Sequence, residues 1–264
     1  MANVEREDEK KARRIVESVL RVEIEHFDTD GGVDYLARDG GVAVEVTRVT
    51  DGRKRAARSG LARSADDTFD PPLASCWIVL VSSTHASTKN LAQRLRSVLA
   101  DCEAVGISYF YRDEINLYLL QRPDQQALIG RMNNTGIESA WTAPHREDPE
   151  HLHEVFLSLT TDGSVGGSNE SLANLMGELG TKTDNVKKLQ DSGVPNRVLF
   201  VWLDGDTPYE IARPLAGEPP TDLEQQFGLP SVVPNLDPAI TELWIVHEGT
   251  QRGWRWDGAH WSWL

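Results

Sequence analysis

The 264-residue sequence is short of cysteine, of long apolar runs and of positive charge. Its two cysteines, Cys76 and Cys102, lack the close spacing of a metal-binding pair and are too few for a disulfide framework, so we expect buried, reduced thiols. The first residues, MANVEREDEKKARR, are not followed by the apolar stretch of a signal peptide. No run approaches the roughly 18 apolar residues of a membrane span. These absences predict a cytoplasmic protein.

Acidic side chains outnumber basic ones by 41 to 27, which gives a formal net charge of −14 and counts against a protein coated with basic surface for nucleic acid. One segment, residues 48–63, holds six basic residues and one acidic residue. The six are Arg48, Arg53, Lys54, Arg55, Arg58 and Arg63. We expect either local contacts to backbone phosphates, with DNA favoured over RNA, or a solvated, flexible arm.

Strands alternate with helices along the chain, which favours an α/β fold with a central mixed sheet flanked by helices. Apolar spacing predicts a helix over 4–27, and alternation predicts strands at 33–37 and 42–49 joined by a tight turn. Residues 51–72 are polar and are predicted to be a loop or arm, and the continuous apolar run at 75–82 predicts a strand buried on both faces.

The chain is expected to comprise a core over 1–212, with insertions, and a C-terminal part over 213–264. The second part begins with a proline-rich connection and ends in a strand and a hairpin over Trp254–Trp263 closed by Asp257 and Gly258. Tryptophans are concentrated there, and alternate positions favour packing of the hairpin on the core. A surface for a protein partner or a second copy of the chain is the alternative.

Asp34 and Glu45 fall on the two strands that flank the predicted tight turn, so a hairpin can bring them together on one face. Two neighbouring carboxylates repel unless one is protonated or a cation joins them. Mg²⁺ takes oxygen ligands, and when bound it activates water and stabilises charge on a phosphodiester. The pair therefore predicts a site for Mg²⁺ or Mn²⁺.

The segment 32–49 resembles the core of the PD-(D/E)XK, or restriction-endonuclease-like, nuclease superfamily. Val33-Asp34 stands where that family has Pro-Asp, and Glu45-Val46-Thr47 stands where it has its acidic residue, spacer and lysine. The helix before and the buried strand after are similar in order. The resemblance implies a restriction-endonuclease-like core and a metal-dependent nuclease acting on DNA.

Thr47 departs from the family pattern, because threonine cannot supply the cation that the lysine brings. Glu-Val-Thr at this place is similar to a variant in actinobacterial proteins with a restriction-endonuclease-like core. Lys188, on a predicted helix at 183–190, is our candidate for a substitute lysine from another element. The alternative is a degenerate fold that binds a partner without catalysis.

The resemblance also implies that an acidic residue of the first helix completes the metal site. Glu23 falls on the apolar face of the predicted helix, where a buried charge needs a reason, and Glu17 lies at the edge of that face.

A second metal site has weaker support from the sequence. His151 and His153 on an extended segment would place both rings on one side, as zinc sites use, but the sequence offers no third ligand at a recognisable spacing, so a polar loop is predicted.

Overall fold

A computed structural model describes residues 4–28, 31–62, 70–82, 89–112, 125–143, 151–160, 165–217 and 227–264. The chain forms two compact units. The first is made of residues 1–50 and 163–264, and the second is the intervening segment 51–162. This division differs from the predicted boundary at residue 212, because the C-terminal strands belong to the larger sheet and the separate part is an insertion.

The first unit contains a seven-stranded mixed sheet in the order β1-β2-β3-β8-β9-β10-β11. Neighbouring strands are antiparallel except that β3 pairs in parallel with β8, and β8 with β9. Its strands are β1 (Ile24–His26), β2 (Tyr35–Ala37), β3 (Val42–Val49), β8 (Asn196–Leu203), β9 (Glu242–His247), β10 (Gly253–Trp256) and β11 (Trp261–Trp263). Its helices are α1 (Glu7–Leu20), α5 (Ser168–Leu179), α6 (Thr183–Asp191) and α7 (Tyr209–Ala216).

Helices cover both faces of this sheet. On one face, apolar residues of α5, α6 and α7, such as Leu175, Leu189 and Leu215, pack with alternate residues of the central strands. On the other face, Ala12 and Val16 of α1 pack with the opposite set of strand residues. The central strands are therefore apolar on both faces, as their nearly continuous hydrophobic sequences require.

The second unit contains a four-stranded sheet in the order β5-β6-β4-β7, in which only β4 and β7 pair in parallel. Its strands are β4 (Trp77–Val81), β5 (Tyr109–Tyr111), β6 (Ile137–Thr142) and β7 (Val155–Leu159). Its helices are α2 (Gly52–Ala62), α3 (Leu91–Ala104) and α4 (Gln126–Asn134). This unit has a core of its own, in which Trp77, Leu95 and Leu99 are completely buried.

The α/β class, the mixed sheet and the flanking helices agree with the sequence prediction. Two details were wrong. The first helix ends at Leu20, because Arg21 adopts a left-handed conformation (φ 56°) that a helix cannot continue. Residues 52–62 form α2 instead of a loop. The strand predicted at 75–82 is confirmed as β4, which lies in the second unit, and β8 is the buried parallel neighbour of β3.

The C-terminal hairpin was predicted correctly. Strands β10 and β11 pair antiparallel. In the turn between them, the Asp257 carboxylate accepts hydrogen bonds from the backbone amides of Ala259 and His260. Trp254 and Trp256 are buried, whereas Trp263 is 44% exposed. Within the described ranges, no helix combines the length and apolar character needed to cross a bilayer.

Candidate active site

Asp34 and Glu45 are both buried at the β2–β3 hairpin of the first unit, with only 3% and 2% of their surfaces exposed. Asp34 directly precedes β2, and its Oδ2 accepts a hydrogen bond of 2.6 Å from the backbone amide of Val46. Glu45 lies in the middle of β3, between Val44 and Val46, whose side chains pack on the opposite face. Strand alternation therefore turns Glu45 toward the face covered by α6.

Burial governs the charge state of the two carboxyl groups. Loss of water raises the pKa of Asp34 to about 6, against the opposing effect of its hydrogen bond from Val46. Loss of water, followed by repulsion from Asp34, raises the pKa of Glu45 to about 8, and the interaction with Lys188 only partly opposes this. The Oε2 atom of Glu45 is buried and has no hydrogen-bond partner. Burial and mutual repulsion therefore both favour a bound proton on the pair, and a cation could replace that proton.

Lys188 reaches this pair from α6. Its Nζ lies 3.0 Å from Oε1 of Glu45, and 19% of its side chain is exposed. Burial alone would lower the pKa of Lys188, but the contact with Glu45 and the charges of Asp34 and Asp28 together raise it. Leu189, the next residue, is fully buried against the sheet and fixes the rotation of the helix. The structure thus brings Lys188, which the sequence analysis singled out, to Glu45.

Neither acidic residue predicted from the first helix lies at the site. Glu23 follows the end of α1, is 58% exposed and forms an ion pair of 2.7 Å with Arg38. Glu17 accepts hydrogen bonds from Arg13 and from the backbone amide of Ile24, so it supports the end of the helix. The prediction of Glu23 failed because it extended the helix past Arg21, whereas Glu17 lies within α1 and binds Arg13 and Ile24 instead.

Glu9, in the first turn of α1, is an acidic residue whose charge acts on Asp34, and it was not predicted from the sequence. It is buried to 4% exposure, and its charge contributes to the raised pKa of Asp34. Arg6 partly compensates this charge, since its guanidinium and its backbone amide both donate to the Glu9 carboxylate. The signal was present in the helical spacing, because Glu9 lies three and seven residues before the buried Ala12 and Val16.

Thr47 lies two residues after Glu45 on β3, and the alternation of the strand puts both side chains on the same face. The adjacent Arg48 is tied into the first unit. Its Nη1 lies 2.8 Å from carboxylate oxygens of both Asp204 and Glu248, and its Nη2 lies 3.4 Å from Asp8. The structure thus gives Arg48 three carboxylate partners within its own unit.

A cavity of about 370 Å³ lies beside the site, between α6 and residues 27, 31–33 and 36. Phe27, Val33 and Leu36 line one side, and Asp184 and Lys188 line the other. Asp34 and Glu45 are not among its lining residues. Lys188 is therefore the element of the site that the cavity reaches, and the carboxyl groups lie behind it.

The remaining basic residues of the predicted phosphate-contacting segment lie on α2 in the second unit. Arg53, Arg55 and Arg58 are exposed there, whereas Lys54 is buried to 8% exposure. Arg63 lies outside the described residues. The helix therefore presents three arginines at its surface.

No protein-family model, curated protein or solved structure matches this chain. The class defined by the structure is an α/β protein whose larger sheet carries a buried Asp–Glu pair contacted by a lysine.

Proposed function

We propose that this chain is a divalent-metal-dependent phosphodiesterase of the PD-(D/E)XK type that acts on DNA. The observation that carries the proposal is the contact of Lys188 with Glu45 beside a second buried carboxyl group, Asp34. An acidic pair with one lysine is the set of groups that the family resemblance implies. Here the lysine comes from α6 instead of β3.

The residues fit a hard divalent cation. Buried carboxylates are rarely left unpaired, and Oε2 of Glu45 has no partner in the described structure. A cation held by Asp34 and Glu45 would satisfy that oxygen and would displace the proton that burial favours. Mg²⁺ and Mn²⁺ prefer such oxygen ligands, and either ion when bound supplies an activated water and charge stabilisation at a phosphodiester.

The protein groups have separate parts in this proposal. Asp34 and Glu45 hold the ion, while Glu9 adds negative charge on the side of Asp34. Lys188 lies between the carboxyl groups and the cavity, where its ammonium can neutralise charge on a phosphate. Thr47 occupies the family's lysine position without its charge, so Lys188 takes the part that the family assigns to that lysine.

Binding of DNA is assigned to the exposed arginines of α2, because phosphate contacts require positive charge and little geometric precision. Arg48 is excluded from this part of the proposal by its three carboxylate partners. The net charge of −14 repels DNA at long range. DNA would then be held by short-range contacts with these arginines, and its affinity would depend strongly on the salt concentration.

The second candidate function is a binding module without catalysis. The observation that favours it is the ion pair itself, because Lys188 already gives Glu45 a counter-charge. In this reading Lys188 and Glu45 hold α6 on β3, and the cavity or the exposed Trp263 contacts a partner.

Cleavage assays with Mg²⁺ or Mn²⁺ on single-stranded DNA, duplex DNA and RNA distinguish the two candidates. The proposal expects cleavage of DNA by the unmodified chain, loss of cleavage in Asp34→Asn and in Glu45→Gln, and full activity in the exposed control Glu178→Gln. Cleavage that persists in both site variants would overturn the assignment of the site. Absence of cleavage together with absence of Mn²⁺ binding would establish the non-catalytic alternative.

The DNA contact is tested separately by charge reversal on α2. Arg53→Glu combined with Arg55→Glu is compared with the control Lys10→Glu and Arg14→Glu, which changes charge equally on α1. The α2 variant should bind DNA more weakly. The slope of log affinity against log salt concentration should become shallower by about 2. Equal effects of both pairs would contradict a local phosphate contact on α2.

A further inference from the structure

Three potential metal ligands converge in the second unit, far apart in the sequence. The Sγ atom of Cys76 lies 3.1 Å from Nε2 of His151 and 3.7 Å from Nδ1 of His153. All three atoms lie within 4.8 Å of one another, and all three residues are half-buried. Cys76 is therefore a potential third ligand that the spacing of the histidines did not reveal.

Strand pairing explains how these residues meet. Cys76 directly precedes β4, and His153 and His151 lie two and four residues before Val155, the first residue of β7. The two strands are parallel neighbours in register from Trp77 and Val155 onward, so their starting ends lie at the same edge of the sheet. A backbone hydrogen bond of 2.9 Å from Trp77 to Glu154 continues the pairing up to the cluster.

Charged side chains of α3 hold the backbone on both sides of the cluster. Arg96 is buried to 1% exposure and donates a hydrogen bond of 2.8 Å to the carbonyl of His153. Glu103 accepts hydrogen bonds from the amides of Ala74 and Ser75, at 2.7 and 2.9 Å. The two segments that carry the ligands are thus fixed before any ion binds, which is the kind of support that metal ligands require.

We propose that Cys76, His151 and His153 form a zinc site. One thiolate and two imidazoles are the ligand types that Zn²⁺ takes, and they suit Mg²⁺ poorly. Bonds of about 2.3 Å to sulfur and about 2.05 Å to nitrogen at the tetrahedral angle put sulfur and nitrogen about 3.6 Å apart. The observed separations of 3.1 and 3.7 Å lie on either side of that value.

Three protein ligands leave one tetrahedral position for water or another small ligand. Zn²⁺ would join the start of β4 to the start of β7 and so stabilise the edge of the smaller sheet. This site does not depend on the proposed nuclease function, because its ligands belong to the second unit and Asp34, Glu45 and Lys188 belong to the first.

The test uses the full chain, stripped of metal with a chelator and then titrated with Zn²⁺ or Co²⁺. We expect one tightly held Zn²⁺ per chain by elemental analysis. With Co²⁺ we expect a sulfur-to-metal charge-transfer band and visible bands of tetrahedral intensity. The charge-transfer band requires a thiolate ligand, so Co²⁺ held by carboxylates at the other site cannot produce it.

Two matched pairs of variants assign the ligands. Cys76→Ala should abolish the charge-transfer band and weaken Zn²⁺ binding by at least about 100-fold, whereas Cys102→Ala, which removes the other thiol, should keep both. His151→Gln should weaken binding strongly and the exposed control His260→Gln should not. Circular dichroism checks that each variant is folded.

The unmodified chain alone can overturn the proposal. If it retains no Zn²⁺ and gives no charge-transfer band with Co²⁺, the cluster is a thiol–imidazole contact without a metal. A band that persists in Cys76→Ala and disappears in Cys102→Ala would likewise remove Cys76 from the site.

Discussion

The Nζ atom of Lys188 lies 3.0 Å from Oε1 of Glu45, although 143 residues separate the two in the chain. The parallel pairing of β3 with β8 and the packing of α6 on that face make the contact. Lys188 also borders the cavity, whereas the two buried carboxyl groups do not. In the proposed function, this position would give one side chain opposing effects on a bound cation and on a substrate.

Replacement of Lys188 by methionine should therefore separate metal binding from catalysis. The variant removes a positive charge next to Glu45, so the affinity for Mn²⁺ should increase several-fold. The rate of DNA cleavage should fall by about 100-fold or more, because the lysine ammonium that would stabilise charge on the phosphate is lost. Isothermal titration and single-turnover cleavage measure the two quantities.

Lys10→Met is the control for this experiment, since Lys10 forms an exposed ion pair with Glu7. Lys10→Met should change neither the affinity for Mn²⁺ nor the rate of DNA cleavage appreciably. A fall in Mn²⁺ affinity in Lys188→Met would show that the lysine positions Glu45 for the ion and does not compete with it.

The raised pKa values predict how stability depends on pH. The pKa of Glu45 is about 8 in the folded protein against 4.5 for the ordinary side chain, and that of Asp34 is about 6 against 3.8. The folded state then holds protons that the unfolded chain has released. The protons held by Asp34 and Glu45 contribute fully to the free energy of unfolding below about pH 4. This contribution is lost as the pH rises from about 4 to 8.

Urea unfolding of the metal-free protein at several pH values tests this prediction, with Glu45→Gln as the variant and Glu178→Gln as its control. Only Glu45→Gln should flatten the decline in stability above pH 5, because glutamine cannot ionise. Adding Mn²⁺ should stabilise the protein increasingly as the pH rises, since the ion replaces the protons. An unchanged slope in Glu45→Gln would place the titrating group elsewhere.

The local part of the site was predictable from sequence, and the long-range part was only partly so. The turn before Val42 and the alternation of β3 placed Asp34 and Glu45 on one hairpin correctly. The choice of Glu23 failed, because apolar spacing continues through Val22 while the backbone reverses at Arg21. Spacing measures amphipathic character and carries little information about where a left-handed residue ends a helix.

Contacts between distant segments leave no periodic signal. Cys76 and His151 meet because β4 and β7 pair in parallel, and neither spacing nor composition connects residues 75 positions apart. For the same reason, the apolar run at 75–82 predicted a buried strand but not the sheet to which that strand belongs. A buried strand has the same sequence character in either sheet, so hydrophobicity alone does not choose its neighbours.

Arg48 gives a prediction that separates stability from DNA binding. Its guanidinium is shared by Asp8, Asp204 and Glu248, and only 26% of its side chain is exposed. Arg48→Met removes the cation that these carboxylates share, and although Lys11 still pairs with Glu248, the free energy of unfolding should fall by about 1–3 kcal/mol. DNA affinity, measured under conditions where the variant is folded, should stay within about two-fold of the original.

Arg38→Met is the matched control. Arg38 pairs with Glu23 and Glu25 on the surface and is 59% exposed, so its loss should cost less than about 1 kcal/mol. A loss of DNA affinity in Arg48→Met that Arg38→Met does not share would restore Arg48 as a phosphate contact.

The tryptophans of the C-terminal hairpin divide into a packed and an exposed set, and substitution should distinguish them. Trp254 is buried to 1% exposure, and its replacement by alanine should destabilise the first unit by about 3–5 kcal/mol because a large core cavity opens. Trp263 is 44% exposed, and its replacement should cost much less. Urea unfolding measures both effects. Sedimentation analysis of Trp263→Ala then tests whether the exposed Trp263 contacts a second copy of the chain. A change from dimer to monomer without loss of stability would assign Trp263 to that contact.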